Sequence, residues 1–424
     1  MTLIEDFRKE IISIIKNLHT NIPENPGDYF KHIYSEGKIL FFPLKVVRSY
    51  YRAKEILRKK AENVGKLISD RQLEKILDDF LLELKYDEKG KLPEIDKHIV
   101  RLFDYLRTME MERYLFLIPI MNIALRQNIS IGNISLVNLT EDILSALESQ
   151  YSTKLRFEKD SLSKTIEKLV KANNTSIYAV VIVKANDERK ATELAIQRAD
   201  NCLNILRLYF GSPPFVLRNE FRSELRMTIA HSNLDKKTFG KESSVVNLNV
   251  NIPEIDPEAI KFMEKRGLKI IEKLLAKSGN ELTQFQKSIL TAIMWFGEAV
   301  KERQRPMQLV KCFVALESVL LPDGGMAKKV RLSKRFTSII YAEAPDLIKK
   351  KVYSKMCQLY NVRNDIIHGG ETYVYEEDVS QLMLWTRMTI QLLLPYTESY
   401  ENILELIKEK FPINEQLYSD IPCQ

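Results

Sequence analysis

From Pro257 almost to the last residue, apolar side chains recur every three or four positions, which commits more than a third of the chain to packed helices. The pattern resolves into helices over Pro257 to Ser278, Thr283 to Glu302, Pro306 to Leu321, Ala327 to Tyr341, Asp346 to His368 and Glu376 to Tyr396. Just before them, Ile252-Pro-Glu-Ile-Asp-Pro-Glu258 carries two prolines and three acids, which marks a boundary. The chain therefore divides into residues 1–255 and 256–424, in keeping with the two or three domains, of about 150 residues each, that a chain of this length accommodates.

The first region mixes element types. Ile4 to Leu18, Leu44 to Leu67, Arg71 to Leu84 and Ile95 to Tyr114 have helical spacing, so the chain reads as helical to about residue 125, with breaks at Pro23, Pro26, Pro43 and Gly90. Between 126 and 255 the β-branched runs Ile129–Leu136, Ser176–Val183 and Val245–Ile252 have strand character. Helices over Glu141 to Ser149 and Ala191 to Phe210 separate them. The predicted class is α+β, mostly α: a helical and small-sheet N-terminal region followed by an all-α bundle.

Composition excludes several alternatives. The longest apolar stretch, Tyr114 to Leu125, is interrupted by Pro119 and Asn122 and falls short of the roughly 20 residues a bilayer requires. The N-terminus becomes charged at once and has no secretory core, so a cytoplasmic protein without membrane contact is expected. Four scattered cysteines, with no C-x-x-C pair, indicate neither a disulfide framework nor a zinc site, and Cys312 and Cys357 read as core residues. His19, His32 and His98 stand alone, and neither a metal nor a cofactor is expected. Phosphate-loop, nucleophile-elbow, zinc-protease and dinucleotide signatures are all missing.

Chemistry concentrates in two of the C-terminal helices. On the helix Pro306 to Leu321, Glu317 shares a stripe with Val310 and Phe313, so its carboxylate faces either a cationic partner or the rim of the bundle. Arg363, in an apolar helix of its own, is the matching partner, because burying either charge alone costs several kcal/mol. His368 follows five residues later and precedes Gly369-Gly370, a pair suited to ending a helix in a left-handed turn. An imidazole at that end can cap the helix or exchange protons near neutrality.

Tyr360-Asn-Val-Arg-Asn-Asp-Ile-Ile-His-Gly369 matches the R-x4-6-H motif of HEPN-domain ribonucleases, with the usual polar residue, Asn364, directly after the arginine. Together with Phe313-Val-Ala-Leu-Glu-Ser-Val-Leu-Leu321 some forty residues earlier, it resembles the Apea-like HEPN group of prokaryotic antiphage defence proteins over roughly Thr283 to Pro395. The resemblance implies a C-terminal helical bundle that forms a homodimer, sets two motifs side by side and cuts RNA without metal by 2′-hydroxyl attack. It assigns Arg363 to the scissile phosphate, His368 to proton transfer, Asn364 to orientation and Glu317 to supporting the arginine. It also implies a role in antiphage or toxin-like defence, with the N-terminal region answering to a phage-derived or cellular trigger. Since inactive members exist, a catalytically silent module that binds RNA or protein is the alternative.

Net charge of +7 attracts polyanions only weakly, so its placement matters more than its sum. Between Met326 and Met356, Lys328, Lys329, Arg331, Lys334, Arg335, Lys349, Lys350, Lys351 and Lys355 stand against two acids, and we read them as an RNA-binding track. A second basic stretch, Lys45 to Lys66, interleaves Tyr50 and Tyr51, which either stack on bases or pack inward. Arg226-Met-Thr-Ile-Ala-His231 repeats the R-x4-H spacing but has neither the polar residue after the arginine nor a flanking apolar helix, which sets it aside.

Overall fold

The computed structural model describes residues 3–20, 28–35, 38–86, 92–120, 123–153, 155, 160–173, 176–210, 223–233, 238–248, 254–370, 373–421 and 423. The breaks expected at Pro23, Pro26 and Gly90, and the end of the expected strand Val245–Ile252, lie outside them.

The chain opens with α1 (Leu3–Ile15), an antiparallel pair β1 (Tyr29–Ser35) and β2 (Lys38–Pro43), and three helices, α2 (Val47–Asn63), α3 (Asp70–Tyr86) and α4 (Leu92–Thr108). Their apolar stripes close a core of their own, in which Phe7, Ile11, Phe42, Leu57, Leu77 and Phe103 are buried. The strand pair was not expected in a stretch read as helical, and its seven- and six-residue strands are too short to show a period clearly.

A six-stranded antiparallel sheet follows, built from β3 (Glu112–Pro119), β5 (Ile129–Ile131), β6 (Ile134–Asn138), β7 (Ile177–Ala185), β8 (Ser223–Asn233) and β9 (Thr238–Leu248) in the order β5-β6-β7-β3-β8-β9. The short β4 (Ala124–Leu125) pairs in parallel with β10 (Glu254–Ile255). β3 corrects the expectation of helix as far as residue 125. It is a central strand covered on both faces, with Tyr114, Phe116 and Ile118 in one core and Leu115 and Leu117 in another. A strand buried on both sides reads as an unbroken apolar run and loses the alternation that would reveal it. Helices α5 (Glu141–Tyr151) and α6 (Leu162–Asn173) contribute to the second core, whereas α7 (Glu188–Phe210) belongs to the first.

The C-terminal helices are α8 (Pro257–Lys265), α9 (Leu268–Ala276), α10 (Gln284–Lys301), α11 (Arg305–Leu320), α12 (Lys328–Ile340), α13 (Asp346–Asn364), α14 (Glu376–Leu393) and α15 (Ile403–Lys410). The helix expected from Pro257 to Ser278 is broken at Gly267, whose φ of +96° glycine adopts without strain. Thr283 and Gln286 close a capping box at the start of α10. α11 packs against α10, α12, α13 and α14, so Phe313, Leu316 and Leu320 lie at the centre of the bundle, fully buried or nearly so. The core that begins on β3 runs on through α7 into these helices across residue 255, which marks a change of secondary structure within continuous packing.

Cys357 of α13 forms a disulfide with Cys423, which corrects the reading of four unpaired cysteines. A separation of 66 residues carries no spacing signature, so the pairing could not be read from the chain. Around it Tyr353 and Tyr418 stack at 4.7 Å and fasten the C-terminal segment to α13. Cys202 and Cys312 are free and buried. Among the described residues no helix is long and apolar enough to cross a membrane.

Candidate active site around Arg363

The apolar stripe of α11 fixes Glu317 by default, because Val310, Phe313 and Leu320 go inward and carry the carboxylate towards α13. There its Oε1 lies 3.5 Å from Nη2 of Arg363 and accepts a 2.9 Å hydrogen bond from the Tyr360 hydroxyl. Both charged side chains are mostly covered, with 18% of Arg363 and 17% of Glu317 exposed. Of the two placements open to Glu317, the pair with arginine is the one found.

Tyr360 organises this corner. It precedes Arg363 by three positions, which brings the two onto one face of α13, and the guanidinium carbon sits 5.4 Å from its ring centre. The same ring meets Phe313 edge-to-face at 5.1 Å. Burial, and then the bond to the Glu317 carboxylate, push the phenol up to about 12, so it stays a donor throughout the ordinary pH range. Arg363 Nη1 donates to Asn364 Oδ1 at 3.1 Å, while its Nε is buried without a hydrogen-bond partner. The guanidinium is thus held by one loose ion pair, one amide and one ring, with a donor unspent.

After Asn364 the helix loosens into a π turn over Asp365–Gly369, closed by the Gly370 N–H on the Asp365 carbonyl, with Gly370 in the left-handed region at φ +70°. In an α-helix, residues five apart diverge by about 140° around the axis. The wider π turn reduces that divergence and draws position 368 back towards position 363. His368 is exposed, as is Asp365, so the imidazole faces solvent at the helix end while Arg363 is held against the bundle. The glycine pair does what its sequence suggested, although through a π turn that spacing did not reveal.

Only part of the expected basic track is available for binding. Arg331 and Arg335 both engage Asp323, Lys334 pairs with Glu415, and Lys355 lies 2.6 Å from Asp378. Lys329 donates to Asn361 Oδ1 at 2.8 Å, which fixes the start of α12 beside the Arg363 end of α13. Lys328, at that same helix start, is exposed. Lys349, Lys350 and Lys351 lie near the other end of α13, about 20 Å along the axis from Arg363. The nine residues therefore divide into a pair beside the motif, a distant trio and four side chains held by carboxylates.

The N-terminal stretch resolves towards packing. Tyr50 is 1% exposed and donates to Asp78 at 2.6 Å, with Lys31 2.7 Å from the same carboxylate, and burial pushes the Tyr50 hydroxyl up and Asp78 up with it. Arg52 pairs with Glu10, and Arg58 with Glu55 and Asp70. Tyr51 remains half exposed under Lys54. The rival Arg226 and His231 lie in β8, whose extended backbone sets them about 17 Å apart.

Tyr360 and Asn361 stand in the motif, but their parts were not evident from the sequence. The available signal was the three-residue step from Tyr360 to Arg363 on a helix with an acid opposite. Among the described residues, no three His, Cys, Asp or Glu side chains gather as metal ligands would. Comparison of the chain with models of known protein families, with curated proteins and with solved structures finds no match.

Proposed function

We propose that the chain is a metal-independent endoribonuclease of HEPN type, acting through Arg363 and His368. The observation that carries the reading is the arginine itself: a mostly buried guanidinium, backed by Glu317 and Tyr360, at the end of an apolar helix whose next turn presents an exposed histidine. A bundle held together by packing alone has little use for so costly a charge.

In this scheme a base takes the proton of a ribose 2′-hydroxyl, and the freed oxygen attacks the adjacent phosphorus. The bond to the 5′-oxygen breaks, and that oxygen receives a proton. The products are a 2′,3′-cyclic phosphate and a 5′-hydroxyl. Histidine suits both proton transfers near neutrality, and the planar guanidinium suits the extra negative charge on the phosphate oxygens. Glu317 and Tyr360 hold Arg363 from behind, Asn364 steadies its Nη1, and Lys328 and Lys329 supply positive charge to the approaching strand. Because each chain supplies one such pair, a homodimer would bring two together, and symmetric pairing is the commonest oligomer. The resemblance of the motif would place such an enzyme in antiphage or toxin-like defence, with the N-terminal region as its restraint.

One observation favours the alternative of a silent RNA- or protein-binding module: Arg363 already has internal partners and is only 18% exposed. Cleavage of total RNA in EDTA by the native protein, Arg363→Ala and His368→Ala separates the two. The enzyme reading expects cyclic-phosphate ends from the native protein alone. RNA binding by all three proteins without cleavage by any, with and without cell extract, would leave the silent module.

A further inference from the structure

Between the π turn and α14 the chain passes through Tyr373-Val-Tyr375, and its three side chains part company. Val374 is 5% exposed and belongs to the main core, whereas Tyr373 is 67% and Tyr375 61% exposed. Neighbouring side chains of extended backbone point to opposite sides, so burying Val374 turns both flanking rings outward. Tyr375 has the extended φ of −67° and ψ of 139°, and Arg305 fastens the next residue, Glu376, at 2.6 Å. The two rings sit 5.1 Å apart at 84° to each other. Elsewhere in the C-terminal region Tyr353, Tyr360 and Tyr418 are no more than 4% exposed, and Tyr341, Tyr396 and Tyr400 are partly buried.

We propose that Tyr373 and Tyr375 form a stacking platform for unpaired RNA bases next to the scissile phosphate; this rests on the ribonuclease reading for the identity of the polymer. Tyr373 follows His368 by five residues, a span of at most about 18 Å, so a single strand held at His368 can reach the rings within a few nucleotides. Their planes are nearly perpendicular, and a continuous stack of parallel bases cannot lie on both. Bases splayed apart can, which selects single-stranded segments, loops and bulges over duplex. Charge permits the approach. Of the three carboxylates that open α14, Glu376 is paired with Arg305 and Asp378 with Lys355, leaving Glu377 as the one without a charged partner among the described residues.

The test is binding of a labelled, mixed-sequence RNA of twelve nucleotides, single-stranded or annealed to its complement, by the full chain carrying His368→Ala so that the probe survives. Adding Tyr373→Ala and Tyr375→Ala should weaken single-strand binding at least about tenfold and leave duplex binding within twofold, since each stacked base is worth about that factor or more. Tyr373→Phe with Tyr375→Phe keeps both rings and should restore the affinity. Equal single-strand affinity in the alanine and parent proteins would overturn the platform, and so would a change of solution mass in the alanine variant with RNA affinity unchanged, which would make the rings a protein contact. Cleavage by the otherwise native protein is scored separately. Lost binding without any cleavage removes the enzyme and keeps the platform, cleavage with unaltered binding does the reverse, and a parent that binds no RNA at low salt removes the platform whatever the cleavage result.

Discussion

Replacing Tyr360 by phenylalanine removes one hydroxyl and leaves the ring against Phe313 and Arg363, so its cost isolates the bond to Glu317. That bond is 2.9 Å long and ends on a carboxylate only 17% exposed. Hydrogen bonds to charged groups contribute about 1.5–3 kcal/mol, and the variant should lose that much at pH 8. The difference shrinks at high pH. The folded phenol, pushed up to about 12, keeps its proton where the unfolded one, near 10, has lost it, so the stability present below pH 10 fades as pH rises towards 12. By pH 11 the native protein forfeits about 1.4 kcal/mol from this group and the phenylalanine variant forfeits none, so the gap narrows by that amount. Urea unfolding followed by tryptophan fluorescence is suited to the question, because both tryptophans, Trp295 and Trp385, lie in the C-terminal helices. Trp385 is 3% exposed with its indole N–H on the Tyr341 hydroxyl at 3.0 Å, so unfolding changes its surroundings. Equal stability at pH 8, or a gap as wide at pH 11 as at pH 8, would refute the reasoning.

Cys423→Ser opens a covalent loop of 66 residues and should cost up to about 4 kcal/mol by chain entropy, seen as a lower urea midpoint. Dithiothreitol should lower the native midpoint in the same way and leave the variant's alone, and a native midpoint indifferent to the reductant contradicts the linkage. Gly297→Ala separates helix propensity from packing: propensity alone predicts a gain of up to about 1 kcal/mol, but the added methyl would run into Asn204 of α7, which is 2% exposed. Overpacking at that close approach between α7 and α10 should win by about 1–3 kcal/mol, measured as a fall in melting temperature, and a rise would show that the two helices part easily.

How much could be read from the chain depended on the kind of signal each element carries. The C-terminal helices were legible because α10, α11, α13 and α14 have long one-sided or apolar patterns, with Thr283 and Pro306 marking two of their starts. β3 was not, because burial on both faces erased its alternation; α6 was missed although Leu162, Ile166 and Leu169 keep helical spacing. At the site, the cost of burying either charge alone made the pairing of Glu317 with Arg363 one of two placements open from the sequence, and the fold decides between it and the rim. The basic track was legible only as composition. Sequence gives the sign of Arg331, Arg335, Lys334 and Lys355 but not the carboxylates of Asp323, Glu415 and Asp378 that folding brings against them. The π turn and the outward Tyr373 and Tyr375 depend on backbone detail at single residues, which helical periodicity does not encode.

The central claim is that Arg363 and His368 cut RNA together, and incubating total cellular RNA with purified protein in EDTA tests it most directly. The account predicts that the native chain yields fragments with 2′,3′-cyclic phosphate and 5′-hydroxyl ends. Arg363→Ala and His368→Ala, folded as judged by the same tryptophan signal, should each lose at least about a hundredfold in rate. Cleavage that persists in either variant, or a native chain that stays inert with and without cell extract, would contradict it.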